Sequence, residues 1–109
     1  MHEPDIDAIS LSPLDNVATV LRPIAGGERV RVRCGGDVTT VLAAEPVPLC
    51  HKISLTGLDA GMTVSKYGQS IGRALAAIPA GAHVHVHNMR SARAKVEAVG
   101  RSASHERAP

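Results

Sequence analysis

Glycine and proline interrupt this chain so often that a long helix has nowhere to form. From Gly26-Gly27 through Gly35-Gly36, Pro46, Pro48, Gly57, Gly61, Gly68, Pro79 and Gly81, a breaker arrives roughly every 8 to 12 residues. The segments between them are short and rich in Val, Ile and Thr, which suit a pleated, half-buried surface. This rhythm predicts a mainly β, small single domain with at most one or two short helical turns. Strands are expected at Asn16 to Ile24, Arg29 to Cys34, Asp37 to Ala43, Lys52 to Leu55, Thr63 to Lys66, Ile71 to Ile78 and His83 to Asn88. The sequence IGRALAAI of Ile71 to Ile78 also fits a short helix. Gly35-Gly36 followed by Asp37 predicts a tight hairpin. A Gly three residues before a Val recurs in Gly27-Glu28-Arg29-Val30, Gly61-Met62-Thr63-Val64 and Gly81-Ala82-His83-Val84. Each reads as a glycine turn that starts a strand on its buried residue.

The core of such a domain must be aliphatic, because the 109 residues include no Trp, no Phe and one Tyr. Readers of single-stranded nucleic acid stack bases on aromatic rings, so that class is disfavoured. Twelve Lys and Arg against ten Asp and Glu give a net charge of +2, too balanced to argue for nucleic acid or an anionic membrane. No apolar run approaches the ~20 residues of a membrane helix. The start, MHEPDIDAISLSP, lacks the basic and apolar blocks of an export signal, so a cytoplasmic location is expected. Cys34 and Cys50 are read as reduced thiols packed as small apolar groups. Residues 1–13 and 91–109 are expected to be loosely ordered segments flanking a folded domain at 14–90.

Two alternating stretches carry candidate chemistry. In an extended His83-Val84-His85-Val86-His87, the three histidines share one face and the two valines the buried one. Same-face residues lie roughly 6.5 to 7 Å apart, from which two imidazoles can converge on one ion. Spacing alone leaves a metal or anion site level with a plain solvated strand face. Arg29, Arg31 and Arg33 alternate in the same way with Val30 and Val32. They read as the guard charges of an edge strand, with a docking surface for an acidic partner or anionic ligand as the second reading. His51-Lys52 and Lys66-Tyr67-Gly68 add lysines able to bind a carboxylate and a tyrosine able to donate to an oxyanion. By position alone surface charge for the lysines and a half-buried ring with a wet hydroxyl for Tyr67 are the favoured readings. Phosphate-loop, nucleophile-elbow, cysteine-protease and zinc-finger spacings are all absent.

Taken together, LDNVATVL at Leu14 to Leu21, HKISL at His51 to Leu55, SKYGQSIGRALAAIPAG at Ser65 to Gly81 and VHVHN at Val84 to Asn88 resemble a known family. It is the N-terminal SAF-type domain of the altronate and galactarate dehydratases, which also occurs as the separate small subunit of enzymes such as sulfolactate sulfo-lyase. The resemblance covers about Leu14 to Arg90, and the ordered string HK, KYG, IG, G-x-x-VHxHN carries its specificity. One position departs from it: the family has Gly before the His-Lys pair, and here Cys50 stands there.

The resemblance implies a β-clip fold and a role in eliminating water or sulfite from a hydroxy acid. It implies a divalent metal shared with a large catalytic subunit, Fe2+ or alternatively Mn2+. Carried over by position, Lys52, Lys66 and Tyr67 take catalytic roles, His51 and Asn88 substrate binding, and His85 and His87 the metal. His83 ranks below them. The expected partners are the large subunit and the hydroxy-acid substrate, with no nucleic acid and no membrane, and self-association when the partner is absent. The rival reading is a stand-alone SAF-type binding module without catalysis, and a basic nucleic-acid binder rests only on the Arg29 to Arg33 stretch.

Overall fold

The computed structural model describes residues 5–91, and every regular element among them is a strand. In chain order these are β1 Ala8–Ser10, β2 Val17–Val20, β3 Arg29–Cys34, β4 Asp37–Leu42, β5 Lys52–Ser54, β6 Thr63–Lys66, β7 Gln69–Ala74, β8 His83–Val84 and β9 Met89–Ser91. They form a six-stranded sheet ordered β4-β3-β1-β2-β5-β8 and a three-stranded sheet ordered β6-β7-β9. Only the β1–β3 pair is parallel. No helix among the described residues is long and apolar enough to cross a membrane.

One local unit repeats along the chain: a buried bridge residue, a left-handed residue three positions on, and a buried strand residue three further on. It runs Ile24–Gly27–Val30, Val47–Cys50–Ile53, Leu58–Gly61–Val64 and Ile78–Gly81–Val84. The left-handed φ values are 87° at Gly27, 69° at Cys50, 86° at Gly61 and 85° at Gly81. The glycine spacing in the sequence exposes three of these units. The fourth is hidden because Cys50 occupies a backbone conformation that glycine adopts without steric cost. Antiparallel bridges join the units in pairs, Ile24 to Val47 and Leu58 to Ile78, so each pair closes the base of one hairpin, β3–β4 or β6–β7.

Each hairpin has its own aliphatic cluster. Ala8, Ala18, Val20, Ile24, Val30, Val32, Ala43, Val47 and Ile53 fill one, and Val17, Leu58, Val64, Ala74, Ile78, Ala82, Val84 and Met89 the other. β2 lies between them: by alternation Ala18 and Val20 face the first cluster and Val17 the second.

The structure corrects several sequence expectations. Ile71 to Ile78 contains no helix; β7 ends at Ala74 and the chain bends to place Ile78 in its bridge. Sheet pairing on both edges of β7 outweighs the local helical pattern, and a Cβ at Gly72 would lie 2.1 Å from the Arg90 carbonyl oxygen. The Asn16 to Ile24 segment is strand only from Val17 to Val20, since Pro23 precedes the bridge residue. Ala8–Ser10 lies in the span expected to be loose, yet it is strand at the centre of the sheet. The cause is Asp7. Its backbone N–H donates to the Arg31 carbonyl (2.9 Å), its Oδ2 accepts from the Arg31 N–H (2.9 Å) and its Oδ1 pairs with Arg22 Nε (3.0 Å). Both cysteines are free, but Cys50 is exposed and not packed. β3, read as an edge strand, lies between β4 and β1, so its arginines guard no edge. The segment 92–109, which includes nearly all of the expected C-terminal tail, lies outside the described residues.

Candidate active site

β2, β5 and β8 lie side by side, with Thr19 opposite Lys52 and Lys52 opposite Val84. Partnered residues share a face, so Thr19 and Lys52 stand on one side of this sheet, while Ala18, Ile53 and His83 stand on the other. The candidate residues therefore gather in two groups, one on each face of the β2–β5–β8 part of the sheet.

The first group is imidazole. His51 Nδ1 and His83 Nε2 are 2.8 Å apart, and the His51 and His85 rings stack with centroids 4.0 Å apart. His51, His83 and His85 offer ligand nitrogens that all lie within 4.8 Å of one another. The alternation predicts His83, His85 and His87 along one strand face, but the strand stops at Val84 and Val86 is 73% exposed. Asn88 is the reason. Its backbone N–H donates to the His85 carbonyl (3.0 Å), its Oδ1 accepts from the His85 N–H (2.9 Å), and its Nδ2 donates to the His83 carbonyl (2.8 Å). The turn so closed folds His85 back onto His51, while the exposed His87 ring tilts against His83 with centroids 5.0 Å apart. Asn88, expected to touch substrate, spends its amide on this turn.

Burial lowers the pKa of His83, and the neighbouring His87, His51 and His85 lower it further against an opposing pull from Glu45. His85 is lowered by burial and then by His51, Lys52 and His87. Both shifts favour the neutral ring, the form in which imidazole nitrogen binds a metal. His85 Nδ1 is buried without a hydrogen-bond partner. Nitrogens around an ion at ordinary zinc-imidazole distances stand ~3.0–3.4 Å apart, so rotamer-scale shifts would close the trio on one cation. The donor set and the orphaned nitrogen fit a divalent metal such as iron or zinc.

The second group is cationic. Lys52 is lowered by burial and then by the charge of Lys66, and neither lysine pairs with a carboxylate among the described residues. Lys66 Nζ lies 4.8 Å from the centre of the Tyr67 ring, and the Tyr67 hydroxyl lies 3.4 Å from Thr19 Oγ1. Tyr67 (φ 56°) and Gly68 (φ 79°) are the two central residues between paired Lys66 and Gln69, the φ pattern of a type I′ turn. A tyrosine tolerates that conformation only where its surroundings enforce it.

Asp15 is part of that enforcement, and the sequence reading passed over it. Its Oδ1 accepts from the Gly68 N–H (2.7 Å), and its Oδ2 accepts from Leu11 (3.1 Å) and Ser12 (3.3 Å). Burial pushes the Asp15 carboxyl up, but backbone donors from Gly68, Tyr67, Leu11 and Ser12 outweigh it and hold the group below its ordinary value. The Asn16 amide adds bonds to the Thr63 carbonyl (2.9 Å) and the Ser65 N–H (2.8 Å). The only signal for this clamp in the sequence is the Ser-Pro-Leu-Asp stretch, a turn former with no visible partner.

Residues 6–92 match the family described as altronate/galactarate dehydratase SAF domain. The chain is 46% identical over 83 residues to the altronate dehydratase of Escherichia coli (strain K12), covering 76% of this chain and 16% of that protein. It is 32% identical over 83 residues to the altronate dehydratase of Bacillus subtilis (strain 168), again 16% of that protein. It is also 41% identical over 51 residues to the (2R)-sulfolactate sulfo-lyase subunit alpha of Paracoccus pantotrophus, covering 47% of this chain and 76% of that subunit. The chain thus spans about one sixth of the altronate dehydratases it matches and most of a sulfo-lyase alpha subunit. With the strand-only fold and the His-Lys and Lys-Tyr-Gly motifs brought together over β2 and β5, it belongs to the SAF domain family of the altronate and galactarate dehydratases.

Proposed function

We propose that the chain acts as the small subunit of a metal-dependent hydroxy-acid lyase, a sugar-acid dehydratase or sulfolactate sulfo-lyase completed by a large catalytic subunit. The observation that carries the reading is the convergence of His51, His83 and His85 beside two lysines that lack a carboxylate partner among the described residues. Elimination from a hydroxy acid removes a carbon-bound proton and expels water or sulfite. It therefore needs cations on the carboxylate, a base and a donor for the leaving group. Lys52 and Lys66 supply the positive charge, and the Tyr67 hydroxyl, oriented by Thr19, is the donor. The histidine trio would hold the divalent metal, which when bound acts as a Lewis acid. The base comes from the large subunit.

The test mixes the purified full chain with the large subunit and offers altronate, galactarate and (2R)-sulfolactate under iron-replete anaerobic conditions. Neither component alone turns over, the mixture does, and Lys52→Ala or Tyr67→Phe lowers kcat by about a hundredfold. His85→Ala abolishes metal retention by the chain, measured by elemental analysis. A large subunit that neither binds the chain nor gains activity from it overturns the reading. Metal retention without any turnover would leave a binding module.

A further inference from the structure

We infer that the β3–β4 hairpin docks an extended acidic polypeptide segment, which adds as a strand to the free edge of β4 and neutralises Arg29 and Arg31. This inference is independent of the lyase reading. Among the described residues β4 pairs only with β3, so its outer edge is open from Asp37 to Val41, and beyond it Gly81 lies against the Leu42 carbonyl and accepts from the Ala44 N–H. Cys34 and Asp37 flank a two-residue turn and form a hydrogen-bonded pair. By alternation the N–H groups of Val38 and Thr40 therefore point to that open edge.

Open edges are ordinarily protected by charge, proline or a short strand. β4 spans Asp37–Leu42 as DVTTVL, with no Lys, Arg or Pro and its one acid at the turn, and its residues are exposed except for half-buried Val41. The charge lies one strand further in. The register sets Arg29 beside Leu42, Arg31 beside Thr40 and Arg33 beside Val38, all on one face. Neither Arg29 nor Arg31 meets a carboxylate among the described residues; the ion pairs there belong to Arg22 with Asp7 and Glu28.

An added strand would lie two strand spacings, roughly 10 Å, from β3. Over the short Thr40, an extended arginine and a glutamate together span that gap. Exposed Val38 (42%) and Leu42 (61%) offer apolar contact on either side. A peptide alternating acidic and apolar residues matches this face in register and sign. A second copy paired β4 to β4 would set arginine rows against each other with Asp37 the one acid in β3 and β4, and a nucleic acid offers no alternating N–H and C=O groups to a strand edge.

The test uses the full chain and a fluorescent peptide alternating Val and Glu, with a Val-Lys peptide as control, followed by anisotropy. The Val-Glu peptide binds and weakens at least about tenfold between ~50 and ~300 mM NaCl. Arg29→Glu with Arg31→Glu loses that binding and gains binding to the Val-Lys peptide. Thr40→Pro loses it with the arginines intact, and far-ultraviolet circular dichroism verifies the fold of each variant. In the wild-type chain the Val38 and Thr40 amides gain hydrogen-exchange protection on peptide addition, which requires no variant to fold. Equal affinity for duplex DNA of the same charge, or sedimentation as a β4-linked dimer that excludes the peptide, overturns the inference.

Discussion

The hairpins β3–β4 and β6–β7 follow one plan, each closed at its base by a bridge between two turn units and each carrying a two-residue tip. They differ in what holds the tip. At β3–β4 the tip is Gly35-Gly36, where an added Cβ at either residue would meet nothing within 4 Å. At β6–β7 it is Tyr67-Gly68, fastened by Asp15 and backed by the Asn16 amide and β9. The tied tip carries Lys66 and Tyr67 to Thr19 and Lys52, whereas the free hairpin presents arginines and an open edge. In this repeated scaffold the candidate site thus lies in the copy whose tip is immobilised, as acid–base and anion-binding groups work only when their positions are fixed.

The sharpest way to break this comparison is at the repeated turns. An added Cβ at Gly81 would lie 1.9 Å from the Leu42 carbonyl oxygen, while one at Gly27 would meet nothing within 4 Å; both residues have left-handed φ. Gly81→Ala is expected to cost about 4 kcal/mol and Gly27→Ala about 1–2 kcal/mol, read by urea unfolding. Comparable losses would mean that the two copies are equally packed.

Next in size is the clamp. Asp15→Ala removes charge-assisted bonds and should cost about 2 kcal/mol, with hydrogen exchange rising at Tyr67 and Gly68 and not at Gly35 and Gly36. The folded-state pKa of Asp15 lies below its ordinary value of 3.8. Its contribution is therefore complete above the unfolded pKa and is lost as pH falls through the lower folded value. The wild-type chain should lose stability relative to Asp15→Ala in that acidic window and nowhere near neutrality.

Cys50→Gly is expected to raise stability by about 1 kcal/mol, since Cys50 sits at φ 69° with an exposed side chain. A lower urea midpoint would assign the thiol a packing role. The smallest effect is Tyr67→Asn, which places a residue suited to φ 56° before Gly68 and should add about 0.5 kcal/mol while lowering turnover of the proposed complex. Gain of stability with loss of activity would identify the tyrosine as retained for chemistry.

The strand content, the aliphatic core and three turn units are legible in the sequence, because glycine spacing and period-two burial are local signals. The motif residues are legible through the family string. Their assembly is not, for physical reasons attached to particular residues. His83 ranks low as a position that varies, yet the fold sets it 2.8 Å from His51, which is distant in the chain. The strict alternation of His83 to His87 promises one shared face, until Asn88 spends its amide on a turn. Asp15 has no pattern to announce it, since its partner at Gly68 is 53 residues away. Arg29 and Arg31 read as edge protection because strand order, which places β4 outside them, is a tertiary fact.

The chain contains no tryptophan and only one tyrosine, Tyr67 at the clamped tip. Its near-ultraviolet absorbance and ultraviolet-excited emission therefore arise almost entirely at the candidate site. Occupancy of the lysine pair, protonation of the phenol or release of the Asp15 clamp can thus be followed optically in the unlabelled chain, with no other fluorophore to subtract.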